Sequence, residues 1–243
     1  MNPQFIWETF LTLLEGVPVT LQLTAISVMM GMILALGLAV LRLSQFWLAR
    51  YFVASYVFAF RGSPMLIQIF LIYYGLGQYR AVLQDLHLWY LFRDPYFCVL
   101  LALSLNTAAY GCEIIRGGLQ SVPAQQVEAG WACGMSGFLL FRRITLPIAV
   151  RNIVPIYGNE IVLMVKATSL ASIVTIMEIT GIAAKLISET YRAFEVFTAA
   201  GALYLIINFV LMRVIAFVER LLSPHLRRSR SAPDPQAAII ATH

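Results

Sequence analysis

From Val17 to Leu41 the chain carries no charged residue, and the run is longer than the roughly 20 apolar residues that cross a bilayer core of about 30 Å. Inside hydrocarbon an isolated run must satisfy its own backbone N–H and C=O groups, which a helix does. Four more apolar stretches follow, at about 51–79, 95–112, 148–177 and 196–212. Only 12% of the residues are charged and mean hydropathy is +0.80, against about 25% charged in a soluble domain. A length of 243 residues alone admits one or two soluble domains. The charge pattern instead points to one all-α integral membrane domain over 17–222.

The charges between the runs set the expected orientation. Arg42 and Arg50 follow the first span, Glu113 and Arg116 the third, and Arg213, Arg220, Arg227, Arg228 and Arg230 close the fifth. The segments Arg80–Asp94 and Glu178–Glu195 have mixed charge, and the former holds Trp89 and Tyr90, as interfacial external loops do. About five transmembrane helices with the N-terminus outside and the C-terminus inside satisfy the Lys/Arg bias at every crossing. Residues 1–16, with Glu8 and Glu15 and no positive charge, form an external amphipathic lead, and 223–243 a disordered internal tail. The net charge of +5 sits in loops and tail, so it indicates membrane topology and no nucleic-acid partner. The N-terminus shows neither a basic region nor a small-residue cleavage site, so no removable signal peptide is expected.

Other function classes lack their chemistry. No G-x-x-x-x-G-K-[ST] is present for a phosphate-cradling loop, no H-E-x-x-H for a metal and no G-x-S-x-G nucleophile elbow. His87, His225 and His243 are far apart, and Cys98, Cys112 and Cys133 are scattered small apolar residues. The expectation is therefore a non-enzyme, with no catalytic residue, metal or cofactor on this chain.

One segment does not suit a bilayer. Ser121–Pro147, SVPAQQVEAGWACGMSGFLLFRRITLP, places Pro123 where a first helical turn tolerates it and Gly134 where a helix can end left-handed. Ser136 can cap the next helix, and Arg142 and Arg143 precede the span opened by Pro147. The reading is a surface helix–turn–helix displayed to a partner inside the cell.

The fourth span is the polar one. Asn159, Glu160, Lys166, Thr168 and Ser169 fall within it, and an ionisable group at mid-bilayer costs about 2.5–3.5 kcal/mol on insertion scales, so it faces a cavity or a partner. Asn159 and Glu160 precede Lys166 by about two turns and share a similar face, which can line a translocation path. A structural ion pair or a snorkelling Lys166 is the plainer alternative. In the second span Arg61-Gly62-Ser63-Pro64 breaks the helix and can set Arg61 at its mouth. Asn106 and Tyr110 in the third span can hydrogen-bond a substrate or join neighbouring helices. Glu113 and Arg116 form an i,i+3 pair.

Glu128-Ala129, Gly134 six residues after that Glu, and Ile144-x-Leu146-Pro147 resemble the EAA loop of ABC importer permeases. Gly130 departs from that pattern, which has Ala there, and a Gly loosens a helix by up to about 1 kcal/mol. The likeness extends over nearly the whole chain. Gly16–Thr24, Arg61-Gly62-Ser63-Pro64-Met65-Leu66-Ile67-Gln68, Asn106–Tyr110 and Asn159-Glu160 with Lys166–Leu170 resemble polar amino-acid permeases. Thr175–Gly181, TIMEITG, looks most like the M-type subunits of histidine and opine (octopine, nopaline) importers.

The resemblance implies a type I ABC importer permease fold in the bacterial inner membrane, with a periplasmic lead at 1–16 and a cytoplasmic coupling loop at 118–147. It implies a related second permease as heterodimer partner, an ATPase dimer holding ATP and Mg, a periplasmic substrate-binding protein, a polar amino-acid substrate and surrounding lipid. On that account Glu128, Ala129, Gly130, Gly134, Ile144, Leu146 and Pro147 couple to the ATPase. Asn159, Glu160, Lys166, Thr168, Ser169, Asn106, Tyr110, Arg61 and Ser63 meet the substrate. An ATP-independent secondary transporter or channel is the competing reading; an integral-membrane enzyme has no catalytic cluster to support it.

Overall fold

The computed structural model describes residues 2–222, and among these every regular element is helical. The expected tail at 223–243 lies outside them, as do His225, Arg227, Arg228, Arg230 and His243. Asn2 caps α1 (Pro3–Leu13), accepting from the Gln4 N–H at 3.1 Å, and Pro3 occupies the first turn, where its missing N–H costs nothing. A single 3-10 turn at Leu14–Gly16 leads directly into α2 (Val17–Leu43), so the expected lead is itself helix.

The second apolar stretch is not one rod. It is divided into α3 (Trp47–Gly62) and α4 (Met65–Phe70, continued by a π turn to Gly75), which meet at 109°. Ser63 and Pro64 are extended there, because Pro64 cannot donate to α3 and biases the residue before it away from helix. Among the described residues four helical segments are long and apolar enough to cross a membrane, and five if the bent pair is one broken span.

Short helices α5 (Arg80–Asp85) and α6 (Trp89–Phe92) precede α7 (Pro95–Gln120), capped by Asp94, whose carboxylate accepts from the Tyr96 N–H at 3.0 Å. α7 passes well beyond Cys112, where the apolar run ends, since Glu113 and Arg116 pair with each other and remain helical until Ser121 and Pro123 stop it. Next come α8 (Ala124–Ala132) and α9 (Gly137–Leu140), then a π turn over Phe141–Thr145 into α10 (Leu146–Ala167). α10 tightens to a 3-10 segment at Thr168–Val174, followed by α11 (Ile179–Thr190) and α12 (Ala193–Leu222).

α2 and α7 form the central pair. Thr20, Thr24, Ser27, Gly31, Ala35 and Ala39 are buried along one stripe of α2, and small residues let helices approach closely where lipid offers no hydrophobic drive for association. A Cβ on Gly31 would lie 2.5 Å from the Cβ of Thr107, and one on Gly111 would lie 2.8 Å from the Cβ of Ala35. The threonine and serine hydroxyls bond back to their own helix, as Thr24 does to the Thr20 carbonyl at 2.8 Å. α10 and the 3-10 segment close one side of this pair, and α3 the other.

A second packing unit joins α1, α11 and α12 around Leu13, Ile179, Val196 and Leu203. It is clasped at its edge: Glu195 accepts from the Asn2 backbone N–H at 3.0 Å and pairs with Arg192 at 3.1 Å, while Arg192 lies 4.4 Å from the Phe5 ring centroid. The outward surface is apolar, with Phe58 81% and Leu205 72% exposed, the arrangement expected where lipid is the solvent.

Candidate functional site

Two regions carry the polar residues singled out in the sequence. The first is the helix–turn–helix α8–α9. Gly134 adopts φ +75°, ending α8 in the left-handed conformation, and the Met135 N–H returns to the Gly130 carbonyl at 3.1 Å. Pro123 stands at the N-cap of α8, one place earlier than a first-turn proline, and Ser136 holds the N-cap position of α9 without a side-chain bond. Gly130 is the buried residue of α8, and a Cβ there would lie 2.7 Å from Leu140 Cδ1 and 2.8 Å from Ile144 Cδ1. The glycine thus seats the second arm against the first, a packing role that its helix propensity alone does not reveal.

Glu128, Ala129, Trp131, Ala132 and Ser136 are exposed around that contact, whereas Ile144 and Pro147 are half-buried and Leu146 is 40% exposed. Pro147 follows the π turn, whose looser hydrogen-bond pattern tolerates a residue with no N–H. The result is a small packed knob with Glu128 and Trp131 on its outer surface.

The second region lies inside the bundle. Glu160 is 8% exposed on α10 and neither hydrogen-bonds nor ion-pairs with any described residue. Arg61, in the last turn of α3, lies 5.0 Å from the centroid of the Tyr110 ring. Glu113, one turn further along α7, bonds Arg116 through Nε at 2.9 Å and through its terminal nitrogen, and faces Arg42 of α2 at 3.6 Å. Arg42 joins a pair that the sequence reading confined to Glu113 and Arg116.

Asn159 and Glu160 do not share a face. Successive helical residues diverge by about 100°, so Glu160 turns into the bundle while Asn159 lines a separate crevice of about 170 Å³ between α10 and α12, with Pro155, Gly158, Met212 and Glu219. Lys166 is exposed and forms no ion pair with Glu160. The Thr168 and Ser169 hydroxyls donate to the Val165 and Lys166 carbonyls, each at 2.7 Å, where α10 tightens. Ser63 similarly donates to the Ala59 carbonyl at 2.7 Å.

Asn106 does not point at open space; its amide donates to Gln68 Oε1 at 2.9 Å. Gln68 and Glu178 are among the buried polar residues that the sequence reading did not place in the path. A lone amide in an otherwise apolar run, Met65–Gly75, is the signal that marks Gln68. Among the described residues no group of three His, Cys, Asp or Glu side chains converges on a metal-sized site.

Residues 27–224 match the family described as binding-protein-dependent transport system inner membrane component. The chain is 54% identical to the octopine transport system permease protein OccM of Rhizobium radiobacter over 96% of its own length and 95% of that protein. It is 50% identical to the nopaline transport system permease protein NocM of Agrobacterium fabrum, covering 98% and 99%. Identity to the histidine/lysine/arginine/ornithine transport system permease protein HisM of Salmonella typhimurium is 40%, covering 84% and 87%. Among solved structures, an amino acid ABC transporter crystallised with histidines superposes with a TM-score of 0.81 at 29% identity, covering 90% of this chain and 98% of that one. The MetNI methionine ABC transporter shares the fold at a TM-score of 0.67 and 19% identity, covering 91% and 99%.

Proposed function

The chain belongs to the family of inner-membrane components of binding-protein-dependent transport systems, and from that premise we propose that it is the permease subunit that passes a polar amino acid or amino-acid conjugate, of the opine, histidine or arginine kind, across the bacterial inner membrane. The whole-length similarity to octopine and nopaline permeases carries this reading. It functions with a separate ATPase and a substrate-binding protein. A related second permease and two ATPase copies complete the assembly, with ATP and Mg held on the ATPase.

Counting the bent pair α3–α4 as one broken span gives five crossings, and the Lys/Arg bias at each crossing supports an N-terminus outside and an α8–α9 knob facing the cytoplasm. The knob suits force transmission because it is exposed yet internally packed: a load on Glu128 or Trp131 passes through Gly130 to Leu140 and Ile144, and so into α10. α10 also carries Glu160 and is continuous with the second arm of the knob, so a load that reaches Leu140 and Ile144 acts on the segment bearing the charged group of the path.

Glu160 meets the cationic group of the substrate and Arg61 its carboxylate. Burial in low dielectric strengthens such a contact and makes an uncompensated charge costly, which favours a ligand of opposite sign.

The test is reconstitution into proteoliposomes with the ATPase and binding protein. ATP-dependent uptake of labelled octopine or arginine is expected. Photo-crosslinkers at Ala132 or Ser136 capture the ATPase, and Glu160→Gln lowers uptake of cationic amino acids more than neutral ones. Uptake without ATP would instead establish a secondary transporter or channel, and equal loss for both substrate classes would remove the charge role of Glu160.

A further inference from the structure

The elbow between α3 and α4 poses a problem of backbone chemistry. A helix leaves its last carbonyls without intrahelical donors, and inside a membrane no bulk water replaces them. α3 ends within an apolar stretch, followed by extended Ser63 and by Pro64, which has no N–H to offer.

One vacant acceptor, the Phe60 carbonyl, is met by two amides. The side chain of Gln68, 5% exposed, folds back over the elbow, and its Nε2 donates to the Phe60 carbonyl at 2.7 Å and lies 3.1 Å from the Ser63 carbonyl and 3.0 Å from the Ser63 hydroxyl. Its Oε1 accepts from Asn106 of α7 at 2.9 Å, and the same Asn106 amide lies 3.4 Å from the Phe60 carbonyl. The elbow is therefore fastened both to itself and to the neighbouring helix.

Asn106 and Tyr110 lie four residues apart on α7 and share a face. One holds the elbow through Gln68, and the other lies under Arg61, the residue immediately after the clamped Phe60. α7 thus offers two footholds one turn apart, the first for the bend and the second for the guanidinium projecting from it.

We propose that the Gln68–Asn106 amide pair is a positioning device for Arg61: it locks the α3–α4 elbow against α7 so that the guanidinium is held over Tyr110, where it receives the carboxylate of the transported amino acid. This rests on the substrate class proposed above, but the lock is a property of the elbow alone. Gln68 does not touch substrate; it acts through the backbone at Phe60.

Two measurements on the full importer test it. In the first, spin labels replace Phe58 and Tyr74, both exposed on either side of the elbow, and the distance distribution is read by double electron–electron resonance. A single narrow distribution is expected, broadened by Gln68→Leu; an unchanged distribution overturns the lock whatever the protein transports.

The second compares arginine uptake by Arg61→Ala, Gln68→Leu and the double variant. Loss of a charge-assisted contact corresponds to about a tenfold rise in KM for each single variant, with the maximal rate within about twofold. The double variant should be no worse than Arg61→Ala. Multiplying effects, or a fall in maximal rate at unchanged KM, overturns the positioning role. If Gln68→Leu does not assemble, Asn106→Ala, which leaves the Gln68 donors on α3, is read by the same two criteria. Failure of the unmodified importer to move arginine or octopine counts against the proposed substrates, and the spin-label result still decides the lock.

Discussion

The hydroxyl of Tyr204 donates to Glu178 at 2.7 Å, joining the middle of α12 to the first turn of α11 through a carboxylate with no exposed surface. The other carboxylate oxygen accepts from the Gly181 N–H at 2.8 Å, so Glu178 is also the N-cap of α11. Gly16 closes over this point: a Cβ there would lie 2.6 Å from the Ile179 nitrogen. Three distant segments thus converge on one acid. Tyr204→Phe removes a donor from a buried acceptor and is expected to cost about 1–3 kcal/mol, seen as a lower unfolding temperature in detergent. Gly16→Ala should destabilise as well, because the added carbon meets backbone that cannot rotate away.

Burial pushes the Glu178 carboxyl above the usual carboxylate range, more than its hydrogen bonds pull it back. A raised folded-state value means that the folded protein holds this proton more tightly than the unfolded chain. The resulting stability is fully present below the unfolded value and is lost as pH rises through the folded one. Glu178→Gln keeps the Tyr204 and Gly181 neighbours but cannot titrate. Subtracting its stability from that of the unmodified protein at each pH should give a difference that declines as pH rises and then levels. A flat difference would show that Glu178 does not titrate in this way.

At Gly31 α2 and α7 leave no room for a side chain: a Cβ added there would lie 2.6 Å from Thr107 Cγ2 and 3.1 Å from the Ser104 carbonyl oxygen. Gly31→Val adds a branched side chain against a branched neighbour, and overpacking of this kind costs about 1–3 kcal/mol or more. Reduced assembly and a lowered unfolding temperature are expected, with partial recovery in Gly31→Val/Thr107→Ala. Recovery tests the specific contact and is partial because Thr107→Ala removes the Cγ2 that would lie 2.6 Å away but keeps the Cβ at 2.5 Å.

Gly130 should tolerate alanine but nothing larger. The atoms nearest its missing Cβ are the flexible ends of Leu140 and Ile144, and alanine gains up to about 1 kcal/mol in helix propensity. Gly130→Ala is expected to transport normally. Gly130→Phe drives the two arms apart and should lower substrate-stimulated ATP hydrolysis about tenfold while the subunits still assemble, as judged by co-purification.

Glu113 neutralises Arg116 and faces Arg42, and its side chain is 15% exposed against 26% and 32% for the Arg42 and Arg116 side chains. Glu113→Gln leaves two guanidinium groups facing each other in a partly desolvated place. It should destabilise by about 1–3 kcal/mol, and Arg42→Gln by less, because Arg116 still pairs with the acid. Thermal unfolding of the two variants at equal ionic strength decides between them.

Much of this molecule follows from sequence. Long uncharged runs cannot leave backbone groups unpaired in lipid, so they dictate helices, and the interval from Glu128 to Pro147 marks an importer permease through its fixed spacing. Gly134 stands where the turn needs a positive φ, a purely local requirement that can be read from the chain.

Which polar groups meet was decided by the fold. Gln68 finds Asn106 across 38 residues, Arg42 reaches Glu113, and Asn159 parts from Glu160 although they are adjacent. In a soluble protein the apolar stripe of a helix tells which face turns inward. In a membrane both the lipid-facing and the buried surfaces are apolar, so periodicity loses that information. The elbow angle, the burial of Gly130 and the setting of Arg61 over Tyr110 therefore come from helices packed at contact distance, where small residues and a few amides select one arrangement.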